Sequence, residues 1–225
     1  MSFRVLSWLK PLFFSLSFLP NLSAFVVNSS LQLPPPGDFA GYIFDCDGTL
    51  AASMRLHYSA WKRALTHHGA KLDFTWEMFT ANAGRGPRYF VTLLNQLHGE
   101  TLDPDHVTRT QDEFLDELHH TVQPVPEVVA LARELADAGK PLAVASGGNR
   151  PTVHRTLDFL GIRQLFPVIV TIEDVTHGKP APDSFLLAAK LLHVPAKDCL
   201  VLGDSLLDIL AADAAGMASV KLEPQ

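Results

Sequence analysis

From residue 41 onward, short apolar runs alternate with longer stretches in which apolar positions recur with helical spacing. The runs, bounded by polar residues or glycine, predict strands at Tyr42 to Phe44, Leu142 to Ala145, Val168 to Thr171, Cys199 to Leu202 and Ala218 to Leu222. The intervening segments predict helices: "PEVVALARELADAGK", stopped by Gly139; "PTVHRTLDFLG", started by Pro151 and stopped by Gly161; "DSFLLAAKLLHV"; and "SLLDILAADAAG". Alternation of this kind predicts an α/β fold, a Rossmann-like parallel sheet sandwiched by helices.

One interval breaks the alternation. Between Ser53 and about Val122 only helix-like stretches occur, "MRLHYSAWKRALTHHG", "GPRYFVTLLNQLHG" and "DPDHVTRTQDEFLDELHH". They predict a helical cap lobe inserted after the first strand, covering the sheet's edge as a lid. The expected division is a core of residues 38–52 and 123–225 with a cap at 53–122. Residues 1–37 are expected to stand outside the fold. They hold Arg4 and Lys10, an apolar stretch from Leu12 to Leu19 too short to span a membrane, and the Pro-rich linker "LQLPPPGDFAG". The first segment reads either as an extension, which keeps the chain cytoplasmic, or as a signal peptide cut after Ala24, which exports it; the extension is favoured because Leu22 is large for such a site. The N-x-S triplets at Asn21 and Asn28 are as compatible with chance as with glycans.

Composition narrows the partners. A net charge of -6 offers no basic stripe, so nucleic acid is not expected, and no stable membrane span is expected either. Nothing fixes the oligomeric state. Cys46 follows one strand and Cys199 begins another, which predicts two separate, reduced, buried thiols.

Four polar signals fall at strand ends: Asp45-Cys46-Asp47-Gly48-Thr49, Ser146 in "AVASGGN", Lys179 in "THGKPAPDSF", and Asp204 with Asp208 in "VLGDSLLDI". The C-terminal ends of parallel strands all point one way, so these residues can converge on one pocket. Asp45, Asp47 and Asp204 brought within about 4 Å would repel by about 4 kcal/mol per pair at an effective dielectric near 20. Lys179 supplies one compensating charge, and a divalent cation the rest; oxygen ligands without nearby His or Cys favour a hard ion, and Mg2+ suits a site that also takes phosphate oxygens. One carboxylate can then attack phosphorus while a second, two residues on, donates a proton to the leaving oxygen. Gly48 permits the turn beside the phosphoryl oxygens, Ser146 can hydrogen-bond them, and Lys179 can neutralise their charge. Asp208, one turn past Asp204, can hold a metal-bound water, orient Lys179, or be a solvated residue of a first helical turn.

With "FDCDGTL", Ser146, Lys179 and "GDSLLD" as four ordered motifs, the chain resembles the haloacid dehalogenase-like hydrolase superfamily over about residues 39 to 222. The position of the helical lobe resembles the subgroup with a cap between the first two motifs, and "LHYSAWKRAL" is similar to its beta-phosphoglucomutase-like and sugar-phosphate phosphatase members. The resemblance implies Asp45 as nucleophile, Asp47 as acid/base, and Mg2+ held by Asp45, the Asp47 carbonyl and Asp204. It further implies a small phosphorylated metabolite as substrate, contacted by Gly48, Thr49 and Gly147 and, from the cap side, by His57, Arg85 and Arg88. Arg85 and Arg88 are equally compatible with solvated positions.

Two departures matter. Ala51-Ala52-Ser53 stands where the family often has an acidic or amide residue before Ser/Thr, which predicts a missing hydrogen bond at the cap hinge. Gly148 and Asn149 stand where similar mutases carry Ser-Lys, which favours a phosphatase over a phosphosugar mutase. A non-catalytic phospho-ligand-binding protein is the reading of another class. Trp61 is expected in the cap's core, and the pairs His67-His68 and His119-His120 are expected at the surface.

Overall fold

The computed structural model describes residues 24–26 and 39–223. Among them, strands β1 (Ala24–Val26), β2 (Gly41–Phe44), β3 (Leu142–Ala145), β4 (Val168–Val170), β5 (Cys199–Gly203) and β6 (Ala218–Lys221) form one parallel sheet in the order β1-β6-β5-β2-β3-β4. The helices are α1 (Met54–His67), α2 (Trp76–Thr80), α3 (Pro87–His98), α4 (Pro104–Leu118), α5 (Pro126–Asp137), α6 (Arg150–Phe159), α7 (Asp183–Leu192) and α8 (Leu206–Ala214).

The two-residue period of a strand sorts its side chains between two layers. Tyr42, Phe44, Leu142, Val144, Leu200 and Leu202 face Val128, Leu131 and Leu135 of α5 and Val153 and Leu157 of α6. Ile43, Ala143, Ala145 and Val201 face Phe185, Ala188 and Ala189 of α7 and Ala211 and Ala212 of α8. Burial on both faces explains why these strands read as continuous apolar runs. A third cluster, built on Trp61, Leu65, Phe74, Phe79, Phe90, Val91, Leu94 and Val107, belongs to α1–α4 and the loops between them. That lobe therefore has a core of its own. No helix among the described residues is long and apolar enough to cross a membrane.

Three sequence expectations need adjusting. Residues 24–26 run alongside β6, with Ala24 opposite Ser219, although everything before residue 38 was expected outside the fold. The added strand satisfies backbone groups that β6 would otherwise leave unpaired at a sheet edge. The five-residue helix α2, capped by Thr75, is too short to show a period and was not anticipated. His119 is buried rather than at the surface, within hydrogen-bond distance of Thr156 and edge-on to Phe159, because α4 runs into a 3-10 turn that packs on α6. The apolar stretch Leu12 to Leu19, Asn21, Asn28 and the linker prolines lie outside the described residues.

Candidate active site

Register brings the motifs to one level. Phe44 pairs with both Val144 and Leu202, so Asp45, Ser146 and Asp204 follow at the C-terminal ends of three adjacent strands. Lys179, carried by the loop between β4 and α7, reaches the same point. Its Nζ donates to Asp45 Oδ1 at 2.6 Å and to the Ala145 carbonyl at 2.9 Å, and lies 2.6 Å from Asp208 Oδ1. The Phe185 ring, with its centroid 4.9 Å from Nζ, closes the space beneath.

Asp45, Asp204 and Asp208 offer oxygens that all lie within 4.8 Å of one another. Burial pushes the Asp45 carboxyl well above the ordinary carboxylate range; Lys179 opposes this, and Asp208 and Asp204 add to it. Burial, then Asp208, push Asp204 up to about 7. Burial works against the charge of Lys179, yet Asp208 and Asp45 hold its proton more tightly than on an ordinary lysine. Asp208 is no solvated helix-start residue. It is buried, and its Oδ2 accepts from the backbone N–H and hydroxyl of Ser205, closing a capping box on α8 while Oδ1 faces Lys179. Gly203 permits this approach, since a Cβ there would sit 2.5 Å from Asp208 Cβ.

Asp47 turns away from that cluster. Its Oδ1 accepts from Ser53 Oγ at 2.6 Å and lies 3.0 Å from His57 Nε2. Ser53, which follows the two alanines, thus ties the hinge to Asp47. Burial pushes the Asp47 carboxyl up, but His57 and Ser53 outweigh it and hold the group below its ordinary range. Burial likewise pushes His57 down, and Asp47 outweighs it, so the imidazole is held above its ordinary value.

The remaining candidates divide. Thr49 donates to Asp204 Oδ1 at 3.3 Å, and Ser146 Oγ accepts from the Gly148 N–H at 3.0 Å. Gly48 has φ +83°, and a Cβ on it would fall 2.3 Å from Asp204 Oδ2. Gly147 abuts the cap: a Cβ on it would meet the Gly84 carbonyl oxygen at 2.3 Å. Asp45, Asp47, His57, Ser146, Gly147, Asp204 and Asp208 all line one pocket. Arg85 and Arg88 do not; they line a neighbouring cavity along the seam, and Arg88 is exposed and paired with Asp105. Trp61, expected as core, is both buried against Phe90 and part of the pocket wall. Gln111, Asp112 and Asn149 also line the pocket, though sequence reasoning did not single out the first two. The signal for Gln111 was present: it interrupts the apolar stripe Val107, Gln111, Leu115 of α4. Cys46 and Cys199 are free and buried, with burial pushing both thiols up, so neither is a nucleophile in waiting.

A strand-end carboxylate bound to a buried lysine, beside two more carboxylates and under a helical lobe, makes a candidate active site at the C-terminal ends of a parallel sheet's strands. A family model described as haloacid dehalogenase-like hydrolase matches residues 39–216, and the chain belongs to that family. It is 34% identical over 183 residues to the fructose-1-phosphate phosphatase YqaB of Escherichia coli, covering 81% of this chain and 95% of that one. It is 30% identical to hexitol phosphatase A of the same organism, covering 78% and 79%. Among solved structures, a hydrolase from Pseudomonas syringae superposes with a TM-score of 0.75 at 29% identity, covering 81% of this chain and 84% of that one.

Proposed function

We propose that this phosphoric monoester hydrolase is a Mg2+-dependent phosphatase of small sugar phosphates that works through a phosphorylated Asp45. The observation that carries the reading is the contact of Lys179 with both Asp45 and Asp208, beside Asp204, at the foot of the pocket. The names of YqaB and hexitol phosphatase A support the substrate class.

The donor set fits the metal. Three clustered carboxylates have one lysine, in contact with two of them, all donors are oxygen, and burial together with the neighbouring carboxylates pushes Asp45 and Asp204 up. Asp45, Asp204 and the Asp47 carbonyl would hold the ion. When bound, Mg2+ supplies positive charge to the phosphoryl oxygens.

The chain's own groups supply the rest. Lys179 fixes the Asp45 carboxylate, which forms a bond to phosphorus as the bond from phosphorus to the ester oxygen breaks. Asp47, positioned by Ser53 and His57, gives its proton to the departing oxygen. An approaching phosphate dianion raises the affinity of Asp47 for that proton. In the second half, water attacks phosphorus, its proton returns to Asp47, and Asp45 and inorganic phosphate are released. Ser146, in the pocket lining, can hydrogen-bond the phosphoryl oxygens, and Lys179 offsets their charge from its place on Asp45.

The test is phosphate release by the full chain from hexose, hexitol, pentose and triose phosphates, with and without Mg2+, beside Asp45→Asn. Metal-dependent release that disappears in the variant is expected. Release that survives in Asp45→Asn would remove the proposed nucleophile.

A further inference from the structure

The part of the pocket that would face the rest of the substrate differs in chemistry from its foot. Trp61, Phe79 and Phe90 contribute apolar lining, and Asn82, Gln111 and Asp112 polar lining. No lysine or arginine is among the described residues that line the pocket. The nearby cations line the neighbouring cavity, which shares Asp112 and Asn149 with this pocket: Lys179 is bound to Asp45, Arg88 is paired with Asp105, Arg155 with Asp116, and the Arg85 guanidinium carbon lies 5.8 Å from the centroid of Tyr89.

Gln111 is 3% exposed, and its Nε2 has no hydrogen-bond partner among the described residues. A buried amide donor without a partner is costly to keep, so a donor held this way points to a ligand acceptor. Asp112 beside it is fixed from the core lobe. Asn149 Nδ2 lies 3.0 Å from each of its oxygens, while Asn149 Oδ1 accepts from the Thr152 N–H and caps α6. The backbone donor sets which end of the Asn149 amide is oxygen, and therefore which end meets Asp112.

Resting on the phosphatase reading, we propose that this wall selects monophosphates whose remainder is uncharged and polyhydroxylated, with Gln111 donating to one hydroxyl and Asp112 accepting from another. A wall that combines aromatic rings with amide and carboxylate groups suits a carbon chain that carries both C–H and O–H surface. A carboxylate or a second phosphate would be desolvated here with no lysine or arginine facing it and with His57 already paired to Asp47, whether or not Asp112 carries its proton.

The experiment measures kcat/KM of the full chain with Mg2+ for a ketohexose 1-phosphate and a hexitol phosphate, against 2-phosphoglycolate and a ketopentose 1,5-bisphosphate. p-Nitrophenyl phosphate, which has no hydroxyls to read, reports the chemistry alone. The neutral polyol phosphates are expected to exceed the two anionic ones by about tenfold or more, and Gln111→Leu to lower their kcat/KM on the order of tenfold more than that of the aryl phosphate, mostly through KM. Equal or better turnover of an anionic substrate overturns the inference, as does a Gln111→Leu loss shared equally by aryl and polyol phosphates, which marks a purely structural role. Should the variant fail to fold, the wild-type ranking decides alone. Hydrolysis of the aryl phosphate with the wrong ranking removes this inference only; hydrolysis of no phosphomonoester removes the phosphatase reading with it.

Discussion

Ser53 stands at the N-cap position of α1, yet its hydroxyl donates to Asp47 Oδ1 at 2.6 Å and makes no cap bond with the helix. The residue that would ordinarily satisfy a helix start is committed to the proposed acid/base instead. Ser53→Ala should therefore reduce kcat by about threefold to tenfold while changing stability by less than about 1 kcal/mol, because one hydrogen bond is lost, no cap is lost, and His57 still holds the same oxygen. Steady-state kinetics beside a denaturant titration checks this; a stability loss without a rate loss contradicts it.

Lys179 is 2% exposed and serves three oxygens at once. Lys179→Met should lower kcat by about 100-fold to 1000-fold and, in chelated protein, destabilise it by about 3–5 kcal/mol, since Asp45 and Asp208 are left buried without their cation. Lys179→Arg should not restore the rate, because a planar fork does not fit where a point charge meets three converging acceptors. Recovery of activity by arginine would show that only the charge matters.

Gly48 combines a left-handed backbone with contact against Asp204. Alanine at that position adds about 1–3 kcal/mol of strain and forces the Asp204 carboxylate to move. Gly48→Ala is expected to lose activity and Mg2+ affinity together, measured by phosphate release across a metal titration. An unchanged metal dependence would disconnect this turn from the carboxylate cluster.

The carboxylate cluster also fixes how stability depends on pH. Asp204, pushed by burial and Asp208 to about 7, binds its proton more tightly in the folded chain than in the unfolded one. Its stabilising contribution is complete below the ordinary value of 3.8 and is lost as pH rises through about 7. Asp45, shifted in the same direction, adds to the trend. In chelator, the melting temperature should gain from these groups toward lower pH, and the increase produced by Mg2+ should be larger at pH 8 than at pH 6, because the ion competes with those protons. Thermal melts at both pH values, with chelator and with Mg2+, test the sign; a metal gain that ignores pH would contradict it.

What could be read in the sequence follows from locality. The strands at Tyr42 and Leu142 announced themselves because both faces are covered, and their polar ends converge because parallel strands with Phe44 level with Val144 and Leu202 leave no other arrangement. Lys179 was legible for the same reason, even though its partners lie 134 positions away at Asp45 and 34 positions away at Ala145. The cap wall was not. Whether Asp112 or Arg88 faces the pocket depends on how α3 and α4 pack and on a bond from Asn149, 37 positions along the chain from Asp112. No local pattern encodes that rotation, so charge alone could not place Arg85 and Arg88, which were equally compatible with substrate contact and solvation and line the neighbouring cavity.

The crowding of Asp45, Asp204 and Asp208 around a single lysine also governs the order of arrival. With Lys179 as their shared counter-charge, the three groups set a net negative potential at the pocket floor once ionised, and a phosphate dianion is repelled before it can touch Ser146. On the proposed metal-dependent reading, substrate capture would follow cation loading. Scarcity of divalent ion should then show itself as weakened substrate and product affinity before it shows as slow chemistry, and inorganic phosphate should inhibit competitively only in the loaded enzyme.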